Sequence, residues 1–293
     1  MTAVTGAPPE SSSAPTDGRL RRFARWLDGN PLVGLVPWIA FSLISGPSRL
    51  EIAAIVALVT AVVIFVVGRI RGQSIKLLEL SDVTFFAALA IVVAVASPST
   101  HRWLELWSGE IANIALVVIA LGSIALRVPF TLQYAREEVD RELWDNPMFV
   151  HINYVLTWTW AAAFFVGAVS GWYGDAVLHN SNNLWTGWII QTGALIVAAE
   201  ITGWYPDWAT GRAALARGEE PDEPIPPIAD LFDGLAAWVV TTGILSLCFN
   251  AAPWGVGVGF IVGGGKIQHW ARTQKPEDPA ESDARPETQP APA

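Results

Sequence analysis

Five polar or charged side chains fall within or beside long apolar stretches of this sequence, where such groups are scarce. They are Arg127, Tyr134, Asn153, Gln191 and Glu200. A polar group at membrane depth costs free energy unless it has a partner, so its presence predicts either a structural contact or a binding site. Together these residues predict a polar site between the fourth, fifth and sixth helices of a membrane bundle.

Arg127 and Glu200 are the two charged members of this set. Arg127 closes the fourth apolar stretch and Glu200 lies in the second half of the sixth, so both are predicted near the same membrane surface. Burying either charge alone would be costly, and pairing them offsets part of that cost. An ion pair that fixes helix register is one interpretation, and a path for a solute or a proton is the other.

Glu200 also belongs to a repeat of seven residues. Thr186, Gly193, Glu200 and Asp207 share one face of a predicted helix. Small residues on such a face let two helices approach closely. We therefore expect this face to pack into the bundle, with Gln191 on the opposite side of the helix.

Sequence signatures of enzymes, metals and cofactors are not found. The four histidines have no spacing suited to zinc or haem. A single cysteine, Cys248, excludes an intramolecular disulfide and a cysteine-based metal cluster. The glycines at Gly263–Gly265 are predicted to allow close helix packing, because no phosphate-binding pattern surrounds them. We expect no enzymatic activity, no metal and no cofactor.

The elements that position these residues are predicted from the distribution of charge. Of the 293 residues, 52% are hydrophobic and 15% are charged, whereas soluble domains carry about 25% charged residues. A helix needs ~20 apolar residues to cross a bilayer. The sequence predicts an all-α, polytopic transmembrane helix bundle whose eight spans lie at about residues 32–46, 50–68, 82–98, 110–130, 149–170, 185–205, 234–250 and 252–265.

Basic residues predict the orientation of this bundle. If all eight spans cross, every Lys and Arg except Arg49 and Arg102 lies on one side. Because basic residues concentrate on the cytoplasmic side, both termini are predicted to be cytoplasmic. The net charge of −9 comes largely from solvated acidic segments, and without a basic patch nucleic acid is not an expected partner.

Composition divides the chain into five segments. The basic N-terminal segment 1–28 and the tail 269–293 are predicted to be disordered and cytoplasmic. Residues 29–212 are predicted to form a six-helix transmembrane core, and residues 234–268 a C-terminal transmembrane hairpin. An acidic, proline-rich cytoplasmic loop at 213–233 is predicted to join the core to the hairpin.

A pattern of aromatic, proline and polar residues extends from the end of the fourth span to the end of the sixth. It reads Arg127-Val-Pro129-Phe130-Thr131-Leu-Gln133-Tyr134-Ala-Arg136-Glu137, then Trp144-x-x-Pro147-x-Phe149-x-x-x-Asn153, Trp158 and Phe164, then Asn183-x-Trp185 and Trp204-Tyr205-Pro206. This pattern resembles the intracellular septation protein A family of small bacterial inner-membrane proteins. The resemblance in layout covers about residues 31–212, and the acidic loop and the last two spans are additions to it.

The resemblance implies a multi-pass protein of the bacterial inner membrane with a non-enzymatic role in the cell envelope. It would act there as a scaffold or interaction protein in division and wall synthesis. Implied partners are the lipid bilayer and other envelope or division membrane proteins, and a homo-oligomer is compatible with the sequence. The polar residues alone support a second hypothesis, a carrier for a small solute or lipid.

Overall fold

The structure is a computed structural model that describes residues 31–46, 48–180, 183–221 and 223–274. The described part of the chain is helical and contains no strand, which confirms the all-α prediction for it. The predicted N-terminal segment 1–28 and residues 275–293 of the predicted C-terminal tail lie outside the described residues, whereas residues 269–273 of that tail continue the last helix.

Within the described residues, five helices are long and apolar enough to cross a membrane, as expected of a helical membrane protein. The other three predicted spans are also helical, but they are shorter or less apolar, so the count of eight crossings stays a prediction. The five helices are Leu50–Ile70, Leu77–Val95, Pro98–Ala125, Pro147–Val177 and Ile228–Cys248.

Four consecutive helices form the first part of the bundle. They are α1 (Pro31–Ile44), α2 (Leu50–Ile70), α3 (Leu77–Val95) and α4 (Pro98–Ala125). α2 packs against both α1 and α3. Small residues on α2 permit this close packing, and the buried ones are Ala53, Ala54, Ala57 and Ala61.

Both α3 and α4 begin before the apolar spans that predicted them. α4 begins at Pro98, where the Ser97 side chain accepts a hydrogen bond from the backbone N–H of Thr100. Such an N-cap followed by proline is a common start signal for a helix. α3 begins at Leu77, and its first turn lies among buried charged side chains. Hydropathy does not anticipate an early start of this kind.

A short helix and a long one form the middle of the chain. α5 (Phe130–Ala135) is a buried segment of six residues, and a 3₁₀ turn at Arg141–Leu143 follows it. α6 (Pro147–Trp172) begins at a cap provided by the Asn146 side chain and continues into a π-helical turn at Tyr173–Val177. α6 packs against α4 on one side and against the next long helix on the other.

Three further helices complete the described chain. A second π-helical turn at Trp185–Ile189 leads into α7 (Ile190–Ala216). A 3₁₀ turn at Ile228–Leu231 then leads into α8 (Phe232–Cys248), and α9 (Trp254–Thr273) follows it. One buried apolar cluster joins α1 through α7, and α8 and α9 lie outside that cluster.

Glycines bring α8 and α9 into close contact. A Cβ atom added to Gly264 would lie 2.9 Å from the carbonyl oxygen of Ala236, and one added to Gly243 would lie 2.5 Å from the carbonyl oxygen of Gly257. The prediction of close packing at Gly263–Gly265 is therefore confirmed for its central residue. Its two neighbours face open space.

Two tryptophans attach this helical hairpin to α7. Trp185 Nε1 donates to the carbonyl of Ala251 at 3.0 Å, and Trp238 Nε1 donates to the carbonyl of Ile189 at 3.3 Å. Buried indole N–H groups usually find such acceptors. The hairpin is thus held against the core by hydrogen bonds at the end of α7 where its π-helical turn lies.

Candidate functional site

Arg127 is an exposed residue at the C-terminal end of α4. Its φ of 60° lies in the left-handed region. The amide of Val128 donates to the carbonyl of Ser123 at 2.9 Å, and that of Arg127 donates to the carbonyl of Ile124 at 2.9 Å. These two bonds define a Schellman ending, in which glycine usually takes the left-handed position. Arg127 therefore has a local part in ending α4.

Glu200 lies on the face of α7 that contacts α8. A Cβ atom on Gly234 would overlap the Glu200 carboxylate, and one on Gly193 would lie 3.1 Å from Trp238 Nε1. Gly193 and Glu200 of the predicted stripe therefore face the same helix. The ion pairs among the described residues do not include one between Arg127 and Glu200.

Asn153 lies at the junction of α5 and α6. Thr131 Oγ1 donates to the Asn153 carbonyl at 2.8 Å and lies 2.8 Å from Thr157 Oγ1. The Asn153 side chain donates to the carbonyl of Phe149 at 2.9 Å. All three polar side chains are buried. Thr157 thus contacts α5 through its side chain, and Asn153 contacts α5 through its backbone carbonyl.

Gln191 lies near the opposite end of the bundle. Asn113 Nδ2 donates to Gln191 Oε1 at 3.1 Å, and Gln191 Nε2 donates to the carbonyl of Thr186 at 2.9 Å. Gln191 thus links α4 to α7. It shares no contact with Asn153, so these two predicted site residues belong to different ends of the molecule.

Tyr134 is fully enclosed by α1, α3 and the rest of α5. Its hydroxyl has no hydrogen-bond partner among the described residues, and a Cβ on Gly34 would overlap it. Burial raises the pKa of the Tyr134 phenol well above its usual range, and the nearby Glu79 and Asp82 add to the rise. The hydroxyl therefore keeps its proton and is available as a donor.

A buried set of charges beside Tyr134 was not predicted from the sequence. Lys76 Nζ lies 3.2 Å from Glu79 Oε1 and donates to Gln73 Oε1 at 3.0 Å. Arg69 Nη2 lies 3.7 Å from Glu79 Oε2. Lys76 also lies 5.1 Å from the centre of the Tyr134 ring, a cation–π distance. Glu79 is therefore compensated by two cations.

Asp82 lies one turn further along α3 and has a different partner. Its Oδ1 accepts a hydrogen bond of 2.7 Å from Trp38 Nε1 on α1. The Asp82 and Trp38 side chains are 1% and 5% exposed. The spacing of three residues between Glu79 and Asp82 is the sequence signal that places both on one face of α3, and Lys76 precedes the helix as its N-cap.

Two side chains from α5 and the segment after it complete the start of α3. Gln133 Oε1 accepts from the backbone N–H of Leu77 at 2.6 Å, and Glu137 Oε1 accepts from the backbone N–H of Ser74 at 2.8 Å. The first bond satisfies an amide that the helix start leaves without a partner in the helix itself, and the second fixes the connection that precedes α3. α3 and α5 are therefore joined through polar contacts as well as apolar ones.

A cavity of about 1120 Å³ lies between α5, α6 and α7. We name it the inner cavity, because it opens at the end of the bundle that is predicted to be cytoplasmic. Its wall is mostly apolar, and the polar groups Thr131, Asn153 and Thr202 converge on it. Glu138 and Arg217 are its charged lining residues.

A second cavity, of about 380 Å³, lies at the opposite end of α4, α6 and α7. We name it the outer cavity. Its lining includes Glu110, Asp175, Asn113 and Gln191. The Glu110 and Asp175 side chains are in hydrogen-bonding contact with each other. No group of three or more His, Cys, Asp or Glu side chains suited to a metal is found in the described part of the chain.

Packed aromatic residues separate the two cavities. On α6 the inner cavity extends to Trp160 and the outer cavity begins at Gly171, so about 16 Å of helix lies between them. Trp160 is completely buried, and the centre of its ring lies 5.7 Å from the centre of the tilted Phe164 ring. Its Nε1 donates a hydrogen bond to Thr202 Oγ1 at 3.0 Å. The buried aromatic side chains of Trp160 and Phe164 on α6 therefore lie between the two cavities.

Comparisons with known proteins do not assign this chain to a family. No protein-family model, curated protein or solved structure matches it. The fold and the site therefore define its class: a helical membrane protein with a buried charged cluster and a cavity at each end of its central helix.

Proposed function

We propose that this protein is a carrier that moves a small amphipathic solute or a lipid across the membrane. The observation that carries the proposal is the pair of cavities at opposite ends of α6, with the buried side chains of Trp160 and Phe164 between them. A carrier exposes one site alternately to the two sides, and packed side chains must close one side while the other is open.

The lining of the inner cavity supports an amphipathic ligand. Cavities of roughly 300–1000 Å³ enclose drug-sized molecules, and this one has about 1120 Å³. Most of its wall would contact hydrocarbon, and Asn153, Thr131 and Thr202 would bind a polar group near the closed end. The charged residues Glu138 and Arg217 would attract a zwitterionic or polar headgroup to the cavity.

We further propose that the protein lies in the bacterial inner membrane as eight spans with both termini in the cytoplasm. The support is the basic residues at one end of the helices, such as Arg69 in the last turn of α2, Arg136 after α5 and Arg212 in the last turns of α7. Under the positive-inside rule that end is cytoplasmic. α1, α7 and α9 would then cross in addition to the five helices with the strongest apolar character.

A cavity-filling substitution tests the carrier proposal. Gly203 lines the inner cavity, and a Cβ there meets no atom within 4 Å. Gly203→Trp would fill the space without an immediate backbone clash. Gly259→Trp is the matched control, because Gly259 is an exposed helical glycine with equally open surroundings.

The measurement is native mass spectrometry of each variant in native-membrane discs. We expect wild type and Gly259→Trp to retain a bound lipid or solute and Gly203→Trp to lose it. Reconstituted into vesicles, Gly203→Trp should also fail to move that ligand. If all three proteins carry the same ligands in equal amounts, the inner cavity is not the binding site and the carrier proposal fails.

A second proposal follows from the acidic loop between α7 and α8. Glu219, Glu220 and Glu223 are exposed, and the loop is held in place where Trp204 Nε1 donates to the carbonyl of Pro227 at 3.1 Å. A fixed acidic surface suits a basic partner, which supports the envelope-interaction role that the family resemblance implies. Site-specific cross-linking from position 220 in cells would identify division or wall-synthesis proteins if this role is correct, and only lipid if it is not.

A further inference from the structure

The two buried carboxyl groups of α3 differ in how their charge is compensated. Glu79 has Lys76 at 3.2 Å and Arg69 at 3.7 Å. Asp82 accepts a hydrogen bond from the uncharged indole of Trp38, and among the described residues no Lys, Arg or His forms an ion pair with it. A buried carboxylate without a cation is unfavourable, and it commonly becomes neutral by taking up a proton.

The groups that face Asp82 make this uptake more favourable. Glu79 is the nearest acid on α3, and its negative charge disfavours a second one close by. Trp38 on α1 contributes no charge, and Tyr134 on α5 is a neutral phenol. The Lys76 ammonium group donates hydrogen bonds to Glu79 and Gln73, so its positive charge compensates Glu79 in the first turn of α3 and not Asp82.

We propose that Asp82 is a proton-binding site and that its carboxyl group is protonated in the arrangement described above. Asp82 exchanges this proton with the inner surface through the Tyr134 hydroxyl. In the uptake step the phenolic oxygen of Tyr134 accepts a proton from a water that reaches it from the inner surface while its own proton passes to the Asp82 carboxylate, so that no phenolate forms. The net change is one proton from the inner aqueous phase bound at Asp82. Release follows the reverse sequence.

The position of Tyr134 supports this exchange route. Its hydroxyl lies against Gly34, one turn of α1 before Trp38, so it lies on the inner side of the Trp38–Asp82 bond. It is a buried donor without a hydrogen-bond partner among the described residues. Such groups are rare and call for an explanation. In this case the explanation is that the Asp82 carboxylate becomes a transient hydrogen-bond acceptor for this hydroxyl when Asp82 loses its proton.

The proton site itself does not depend on carrier activity. Coupling of proton movement to solute movement rests on the proposed function, because it requires that the inner cavity empties and fills. α5 links the two sites: Thr131 lines the inner cavity and Tyr134, one turn later, lies in the charged cluster. A displacement of α5 by a ligand would therefore reach the hydroxyl that serves Asp82.

Infrared difference spectroscopy tests the site without any solute. Films of the purified protein in lipid are compared at acidic and alkaline pH, in water and in deuterium oxide. We expect the carbonyl-stretching band of a protonated carboxylic acid, sensitive to deuterium, to gain intensity as the pH falls. Asp82→Asn should remove the component of this band that Asp82 contributes, whereas Glu110→Gln, which removes a carboxyl in the outer cavity, should leave that component in place. An Asp82→Asn spectrum that is identical to the wild-type spectrum overturns the proposal.

Isotope labelling keeps the test valid if Asp82→Asn does not fold. Wild-type protein labelled at the side-chain carboxyl carbon of aspartate should show a displaced band, and an unmoved band would assign it to glutamate and overturn the proposal. Tyr134→Phe should keep the band but delay its growth after a rapid pH change by tenfold or more, and an unchanged rate would overturn the exchange route. The infrared measurement uses no ligand, whereas the carrier test measures ligand binding. A negative result for the proton site can therefore be distinguished from a negative result for the carrier proposal.

Discussion

The Trp38 indole and the Asp82 carboxyl group are joined by a 2.7 Å hydrogen bond between α1 and α3, helices that are 44 residues apart along the chain at this contact. Trp38 also packs against Phe85 and Phe86, with ring centres 4.8 Å away in both cases. The polar contact is thus surrounded by aromatic rings, which exclude water from it. Because water cannot replace either partner, the group at position 82 must accept the Trp38 hydrogen bond if the bundle is to be stable. The same exclusion of water favours the protonated form of Asp82.

The first prediction compares two replacements of Asp82. Asp82→Asn keeps an oxygen that accepts from Trp38 Nε1, whereas Asp82→Leu leaves this buried donor without an acceptor, at a cost of roughly 1–3 kcal/mol. We expect a clearly lower melting temperature for the leucine variant than for the asparagine variant in detergent. Equal melting temperatures would show that the hydrogen bond does not stabilise the bundle.

The second prediction concerns the left-handed residue at the end of α4. The left-handed conformation costs a residue with a side chain about 1–2 kcal/mol, and glycine avoids this cost but loses about 0.5–1 kcal/mol of backbone entropy. We therefore expect Arg127→Gly to stabilise the protein slightly and Arg127→Val to destabilise it. If Arg127 were instead one half of a structural ion pair, thermal unfolding would show a loss of stability in both variants.

The third prediction concerns the packing of α8 on α9. A Cβ on Gly264 would lie 2.9 Å from a backbone carbonyl, whereas one on Gly265 meets no atom within 4 Å. Overpacking of this kind costs roughly 1–3 kcal/mol, so Gly264→Ala should lower the melting temperature. Gly265→Ala should leave it unchanged or raise it, because alanine favours helix. A similar loss in both variants would argue against close contact between the two helices.

The fourth prediction concerns topology. Asn180 is exposed in the connection between α6 and α7, and Glu220 is exposed in the connection between α7 and α8. A reporter enzyme that is active only outside the cytoplasm should therefore be active when fused at Asn180 and inactive when fused at Glu220. The reverse result would invert the proposed orientation, and activity at both positions would mean that α7 does not cross.

Hydropathy was sufficient to predict the helices, because the need to fill a bilayer with apolar side chains dominates this composition. Each predicted apolar span contains a helix in the structure. Close contacts between helices at small residues could also be predicted from the sequence, as Gly264 on α9 and the pair Gly193 and Glu200 on α7 demonstrate. These features follow from the periodicity of one helix, which a sequence displays directly.

The charged cluster could not be predicted in the same way. Glu79 precedes the apolar span from which the third helix was predicted, and Lys76 lies in the connection before that helix, so hydropathy gave no reason to expect that their side chains are buried. Their burial depends on Trp38 and Tyr134, which come from distant parts of the chain. The two cavities also depend on how α6 is placed between α4 and α7. Contacts between helices of this kind leave no periodic signal.

The polar contacts at the start of α3 have a consequence for how the protein is made. The acceptors for the amides of Ser74 and Leu77 are Glu137 and Gln133, which lie 63 and 56 residues further along the chain. A growing polypeptide therefore presents α3 to the insertion machinery before the ribosome has synthesised the residues that complete its first turn. The contacts at that end of the molecule can form only after α4 and α5 have been translated. The charged cluster is therefore completed later than the insertion of α3 itself.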